Sequence, residues 1–167
     1  MGLDVSALDA NLTNPAKTYL WEVVFPNPVS GNSETLSLRC QSSSIPERSF
    51  GTIKIEYKQT AGVKYPGKVR FPQSWSLSFV EGEDRAILNA MNAWCDTIID
   101  AKTGVGELVV KTDIYLRLLN TDGETAATYR MKGAYPETIG EVSLAYENES
   151  DIRYPVTFSY DRWELDV

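Results

Sequence analysis

Apolar and polar residues alternate along most of this chain, and the alternation predicts strands. Residues 19–25 are dense in aromatic and β-branched side chains and read as a strand closed by Pro26 and Pro28. Leu36, Leu38 and Cys40 alternate with Ser37, Arg39 and Gln41, which predicts a strand over 35–41 with one buried and one wet face. Residues 52–58 repeat the pattern, with Ile53, Ile55 and Tyr57 set against Lys54, Glu56 and Lys58. Residues 60–68, with Gly62, Pro66 and Gly67, read as an exposed loop. Trp75, Leu77 and Phe79 alternate with serines and mark a further strand.

The period changes once. Ile87, Met91, Trp94 and Ile98 recur at spacings of four, three and four, which predicts one amphipathic helix over 84–102. Asp84 is its expected N-cap, and Gly104 its expected left-handed end. Alternation then resumes over 114–119 and 126–132, joined by a turn whose Asp122-Gly123 step is a hairpin signal. Val142, Leu144 and Tyr146 predict another strand. A last one runs over 152–160, assigned to an edge because it contains Pro155. The expected fold is therefore mainly β: a sandwich or barrel of about eight strands with one flanking helix. Residues 1–15 read as an arm and 16–167 as a single domain. Leu3, Val5, Leu8 and Leu12 suggest a turn or two of helix against a neighbour.

Composition narrows the chemistry. The 167 residues carry a formal net charge of -7, so wholesale attraction to nucleic acid phosphate is not expected. Histidine is absent, which removes Ser-His-Asp and Cys-His nucleophile pairs and imidazole metal sites. Cys40 and Cys95 read as two small buried hydrophobes, with a disulfide left open. Neither a signal-peptide pattern nor an apolar run of membrane-spanning length is visible, so a protein without membrane anchoring is expected. Glu81, Glu83 and Asp84 read as acids at a helix start rather than as a metal site. Gly104-Val105-Gly106 lacks the ending of a phosphate loop. Of the four tryptophans, three fall on apolar faces and are expected in the core. No catalytic residue, cofactor site or metal site is assigned.

The carboxy-terminal third carries a resemblance. Gly133-Ala134-Tyr135-Pro136, then Gly140-Glu141-Val142, and the ending Tyr160-Asp161-Arg162-Trp163-Glu164 resemble the tail tube proteins of contractile-tailed bacteriophages, within the wider superfamily that includes type VI secretion tubes. Upstream, residues 50–57 followed by Val63-Lys64-Tyr65-Pro66-Gly67 resemble that family's long hairpin and its following loop. Trp75 to Phe79, followed by acidic residues and a helix containing Trp94, keeps the expected order. The stretch before Tyr19 and the segment 26–31 have no counterpart in the resemblance.

The resemblance implies a structural subunit that stacks in hexameric rings, two hairpins per subunit joining neighbours into one inner β-barrel through which double-stranded DNA passes without specific binding. It implies a tail sheath protein outside, baseplate and tail terminator proteins at the ends, a place in the virion tail, and assembly in the host bacterial cytoplasm. Channel-facing candidates are Arg39, Lys54, Glu56, Lys58, Asp113, Arg117, Arg130 and Lys132. Basic residues predominate among them, and pairing with acids at subunit boundaries is expected to neutralise them. Ring-interface candidates are Leu3, Val5, Leu8, Tyr65, Pro66 and Gly67, although an aromatic in a Pro/Gly loop also simply shapes a turn. The family motif is Gly133, Tyr135, Pro136, Gly140, Glu141 and Trp163. The alternatives are a baseplate tube initiator or secretion-system tube protein of the same fold, and, in another class, a carbohydrate-binding β-sandwich module. A hydrolase using paired carboxylates has no supporting spacing.

Overall fold

A computed structural model describes residues 4–12, 14–25, 33–106 and 111–166. The expected insertion at 26–31 and the candidate Leu3 lie outside the described residues. Among the described residues, three helices, α1 (Val5–Leu12), α2 (Ser33–Arg39) and α3 (Ala86–Ile98), accompany nine strands. The strands are β1 (Trp21–Val24), β2 (Cys40–Ser42), β3 (Ser49–Tyr57), β4 (Thr60–Arg70), β5 (Ser74–Val80), β6 (Thr112–Leu119), β7 (Thr125–Ile139), β8 (Arg153–Ser159) and β9 (Arg162–Asp166). Seven of them form one antiparallel sheet in the order β1-β6-β7-β8-β5-β2, with β9 also on β7. It is a nearly closed, barrel-like sheet.

β7 makes the curvature possible. Its first half pairs with β6 and β9, its second with β8, and Gly133 lies between the halves at φ +67°. A residue without Cβ adopts that left-handed conformation freely, so the strand turns from one leaf to the other without strain. The core between the leaves is aromatic: Phe158 packs against Phe25, Trp75 and Trp94 at centroid distances of 6.0, 6.4 and 5.8 Å. Helix α3 contributes Ile87, Ala90, Met91 and Trp94, the stripe expected from its spacing.

The structure corrects several expectations. Residues 33–39 form a helix, because Leu36 and Cys40 stand four apart and are both buried, while Leu38 between them is 73% exposed. Three alternating positions fit either period, and burial decides for the helix. Arg85 occupies the N-cap of α3 in a left-handed conformation without a side-chain cap bond. The capping oxygens come instead from Glu81, whose carboxylate accepts from the N–H groups of Ile87 (3.2 Å) and Leu88 (2.9 Å). The C-cap is Ile99, and the left-handed Gly104 belongs to the loop beyond, its N–H donating to the Asp100 carbonyl at 2.7 Å.

Residues 60–70 are a strand and not a loop. Residues 140–152 are irregular and not a strand, with Leu144 and Tyr146 exposed. Pro155 lies in a central strand, β8, between β5 and β7. Its carbonyl accepts from Gly140 N–H at 2.6 Å, just beyond the last β7 pair, Ile139 with Val156. A strand residue points its N and its carbonyl to the same side, so the donor that proline lacks faces the place where β7's ladder ends.

Candidate functional site: an unpartnered hairpin and a charge-balanced sheet face

β3 and β4 form a two-stranded sheet of their own, and among the described residues neither packs appreciably on any other element. The expectation of an apolar face buried on the subunit's own core fails here. The register pairs Ile53 with Tyr65 and Ile55 with Val63, gathering these side chains on one face together with Tyr57, while Phe50 and Val69 pair at the arm's base on the opposite face. All of them are about half exposed. The other face carries Lys54, Glu56 and Lys64, and towards the base Phe50 and Val69. Lys54 pairs with Glu56, while the Lys58 ammonium stands 5.1 Å from the Tyr57 ring.

Two features the sequence read as loop signals are part of this arm. Pro66 pairs with Thr52 in a two-stranded sheet, where every strand is an edge and a missing donor costs little. At Gly67 a Cβ would stand 2.9 Å from the Gly51 backbone, so glycine permits the close approach of the two strands. The sequence reading did not extend this face onto β4, where the alternation of Val63 and Tyr65 was the available signal, obscured by Pro66 and Gly67.

A second surface lies on the outer side of the β1-β6-β7-β9 leaf. Side chains alternate there so that Val23, Ile114, Leu116 and Met131 point to the core. On the opposite face stand Glu22 on β1, Asp113 and Arg117 on β6, Arg130 and Lys132 on β7, and Arg162, Glu164 and Asp166 on β9. Each basic residue has an acid beside it. Arg117 meets Glu22 at 3.3 Å, Lys132 meets Glu164 at 2.8 Å, and Arg162 reaches Glu164 at 3.1 Å. Arg130 donates to one Asp113 oxygen through Nε at 2.8 Å and Nη2 at 2.5 Å. Burial alone would raise the Asp113 pKa; the Arg130 bonds, the Gly133 N–H, and the Arg130 and Lys132 charges outweigh it and hold the carboxyl below its usual range. Each of these basic residues on the leaf thus has an acidic partner within its own chain.

Arg39 stands apart from both surfaces. It ends α2 and donates to Asp84 at 3.0 and 2.9 Å, with Glu81 at 3.6 Å, so it lies on no strand. Among the ring-interface candidates, Val5 and Leu8 are exposed on α1, and Tyr65, Pro66 and Gly67 lie in β4. In the family motif, Tyr135 and Pro136 continue β7 after its bend, Gly140 bonds to Pro155, Glu141 is exposed, and Trp163 lies in β9 facing Met131. Trp75 and Trp94 are buried, while Trp21 and Trp163 pack against the core's margin.

Among the described residues no group of His, Cys, Asp or Glu is arranged to hold a metal, and no helix is long and apolar enough to cross a membrane. Cys40 and Cys95 are free thiols, and the possible disulfide does not form.

The β3–β4 hairpin thus stands apart from the barrel-like sheet and leaves an apolar face exposed. The family model for the phage tail tube protein matches residues 10–166, and the chain belongs to that family. It is a structural tube protein of a phage-tail-like particle and not an enzyme. No curated protein matches the chain.

Among solved structures, the chain is similar to one in the sheath–tube complex of an extracellular contractile injection system, PVC, in the extended state, with 19% identity, 99% of each chain covered and TM-score 0.69. It is also similar to a chain in the tube-terminating cap of the anti-feeding prophage, with 21% identity, 92% and 91% covered and TM-score 0.70. A third similarity is to a chain in the PVC sheath/tube terminator, with 19% identity, 92% and 98% covered and TM-score 0.70. The membership overturns the carbohydrate-binding alternative.

Proposed function

We propose that this chain is the repeating subunit of a contractile bacteriophage tail tube, assembling into stacked hexameric rings that form the channel for DNA. The observation that carries this reading is the β3–β4 arm: one face holds five large, half-exposed hydrophobic side chains, and its outer edges pair with no other strand among the described residues. A face of that kind is stabilised when a second copy covers it, and an open edge when a neighbouring strand pairs with it. The charge-balanced leaf would then face the lumen, where paired acids and bases present little net charge to passing phosphate. Sheath protein would lie outside, with baseplate and terminator proteins at the ends, and assembly would take place in the host cytoplasm. Val5 and Leu8 on α1 would meet the next ring. Residues 16–167 would act as one domain.

A second reading is favoured by the similarity to injection-system tube and terminator chains: a tube or cap subunit of a contractile injection system. Negative-stain microscopy of concentrated protein tests the first reading. Hollow rods of indefinite length support the repeating subunit, single rings that never elongate favour the cap, and a strict monomer at every concentration overturns both.

A further inference from the structure

Among the described residues the arm makes no substantial packing contact outside itself, so its direction is set at its root. Both chain segments at that root meet one side chain. Trp163 Nε1 donates to the Glu47 carbonyl at 2.9 Å, and the Arg48 guanidinium lies 5.7 Å from the indole centroid; these residues lead into β3. The Phe71 ring, which follows β4, meets the indole edge-on at 6.1 Å and 78°. On its other side Trp163 is fixed to the body. It pairs with Met131 in the β7–β9 ladder, and its ring stands 5.4 Å from Tyr129. Gln73, in a left-handed conformation at the β4–β5 junction, adds a bond from Nε2 to the Asp161 carbonyl at 3.3 Å.

We propose that Trp163 is a positioning residue: it clamps the entry and exit of the β3–β4 arm to the β7–β9 edge and so fixes the angle at which the arm leaves the sheet. A rigid two-stranded arm turned at its root carries its tip furthest, so a loose root misplaces the face that a neighbour must cover. Edge-to-face aromatic contacts and a directed N–H bond restrain that rotation in a way aliphatic packing does not. The consequence for assembly rests on the reading of the arm as the joint between copies; the clamp itself does not.

The test measures arm direction in dilute protein. Spin labels at Ala61→Cys, near the arm's tip, and Asn92→Cys, on the exposed side of α3, are introduced with Cys40→Ala and Cys95→Ala, and the inter-label distance distribution is recorded. A narrow distribution is expected with Trp163 in place. Trp163→Ala and Phe71→Ala are each expected to broaden it by about twofold or more, a change in amplitude that melting temperature does not report. Trp163→Phe, which keeps a ring but loses the donor, should fall between. If Trp163→Ala fails to fold, Phe71→Ala and Arg48→Ala, which leave β9 intact, carry the test. A broad distribution in the parent, or unchanged narrow ones in the variants, overturns the clamp. Broadened arms that still build rods at the parent's yield sustain the clamp and overturn the arm's role as the joint between copies.

Discussion

The carboxylate of Asp161 fills the space that a side chain on Gly133 would need, and Lys111 holds it there through bonds of 2.8 and 3.1 Å. Gly133 is also the left-handed residue at which β7 passes between leaves. Gly133→Val therefore combines a strained backbone with displacement of the ion pair, at a cost on the order of 1–3 kcal/mol for the backbone alone. The expected result is a clear drop in melting temperature and loss of assembly. An unchanged melting curve with normal rods would show that the bend does not require glycine.

The arm offers a substitution with the opposite profile. Ile55 is 57% exposed and contributes nothing to its own subunit's core, so Ile55→Asp leaves the monomer's thermal stability near that of the parent. Covering such a side chain at an interface contributes about 1.5–3 kcal/mol, and a buried unpaired carboxylate costs more than that gain. Sedimentation should show a folded monomer that no longer associates. Association at the parent's concentration would place the joint elsewhere.

How far the sequence disclosed all this depends on what each residue's surroundings decided. The stripe of Ile87, Met91 and Trp94 and the turn at Asp122-Gly123 are local signals with local consequences, and both stand where the pattern put them. The turn is reinforced by Asn120, whose side chain accepts from the N–H groups of Asp122 and Glu124. Alternation in β3 predicts a strand correctly but not its burial, because an exposed apolar face has the same pattern as one facing a core. Pro155 was misplaced to an edge because sequence does not tell where a neighbouring strand stops. The acids on β9 that answer Lys132 and Arg162 became visible only with the β7–β9 register.

Glu81 is an expected stability determinant that its exposed neighbours conceal. Its side chain is 4% exposed, accepts from three backbone N–H groups (Gly82, Ile87 and Leu88), and lies 3.6 Å from Arg39. Glu81→Ala strips the start of α3 of these acceptors and is expected to cost about 1–3 kcal/mol in denaturant unfolding. A variant within a few tenths of the parent would mean that solvent caps α3 adequately.

Thiol chemistry provides a check on the core. Burial pushes the Cys40 thiol up to about 12, and burial with the nearby Asp96 charge also raises Cys95. The thiolate is the reactive form, so native protein at pH 8 should react slowly with a thiol reagent, Cys40 more slowly than Cys95. Unfolding in denaturant should release both. Rapid modification of Cys40 in folded protein would contradict its packing beside Leu36.

The Asp113–Arg130 pair makes the β1-β6-β7-β9 leaf sensitive to acid. The folded Asp113 carboxyl titrates below its unfolded counterpart, despite the opposing effect of burial, because Arg130, the Gly133 N–H and Lys132 favour the charged form. A depressed carboxyl contributes stability that is complete above the unfolded value of about 3.9 and disappears as pH falls through the lower, folded value. Asp113→Asn should therefore lower the melting temperature at pH 7, by about 2–4 °C for a loss near 1 kcal/mol in a chain of this size. The same comparison made at progressively lower pH should show the two proteins converging once the native carboxyl is protonated. A difference that persists undiminished at the acid end would assign the effect to the lost shape of the side chain and not to its charge.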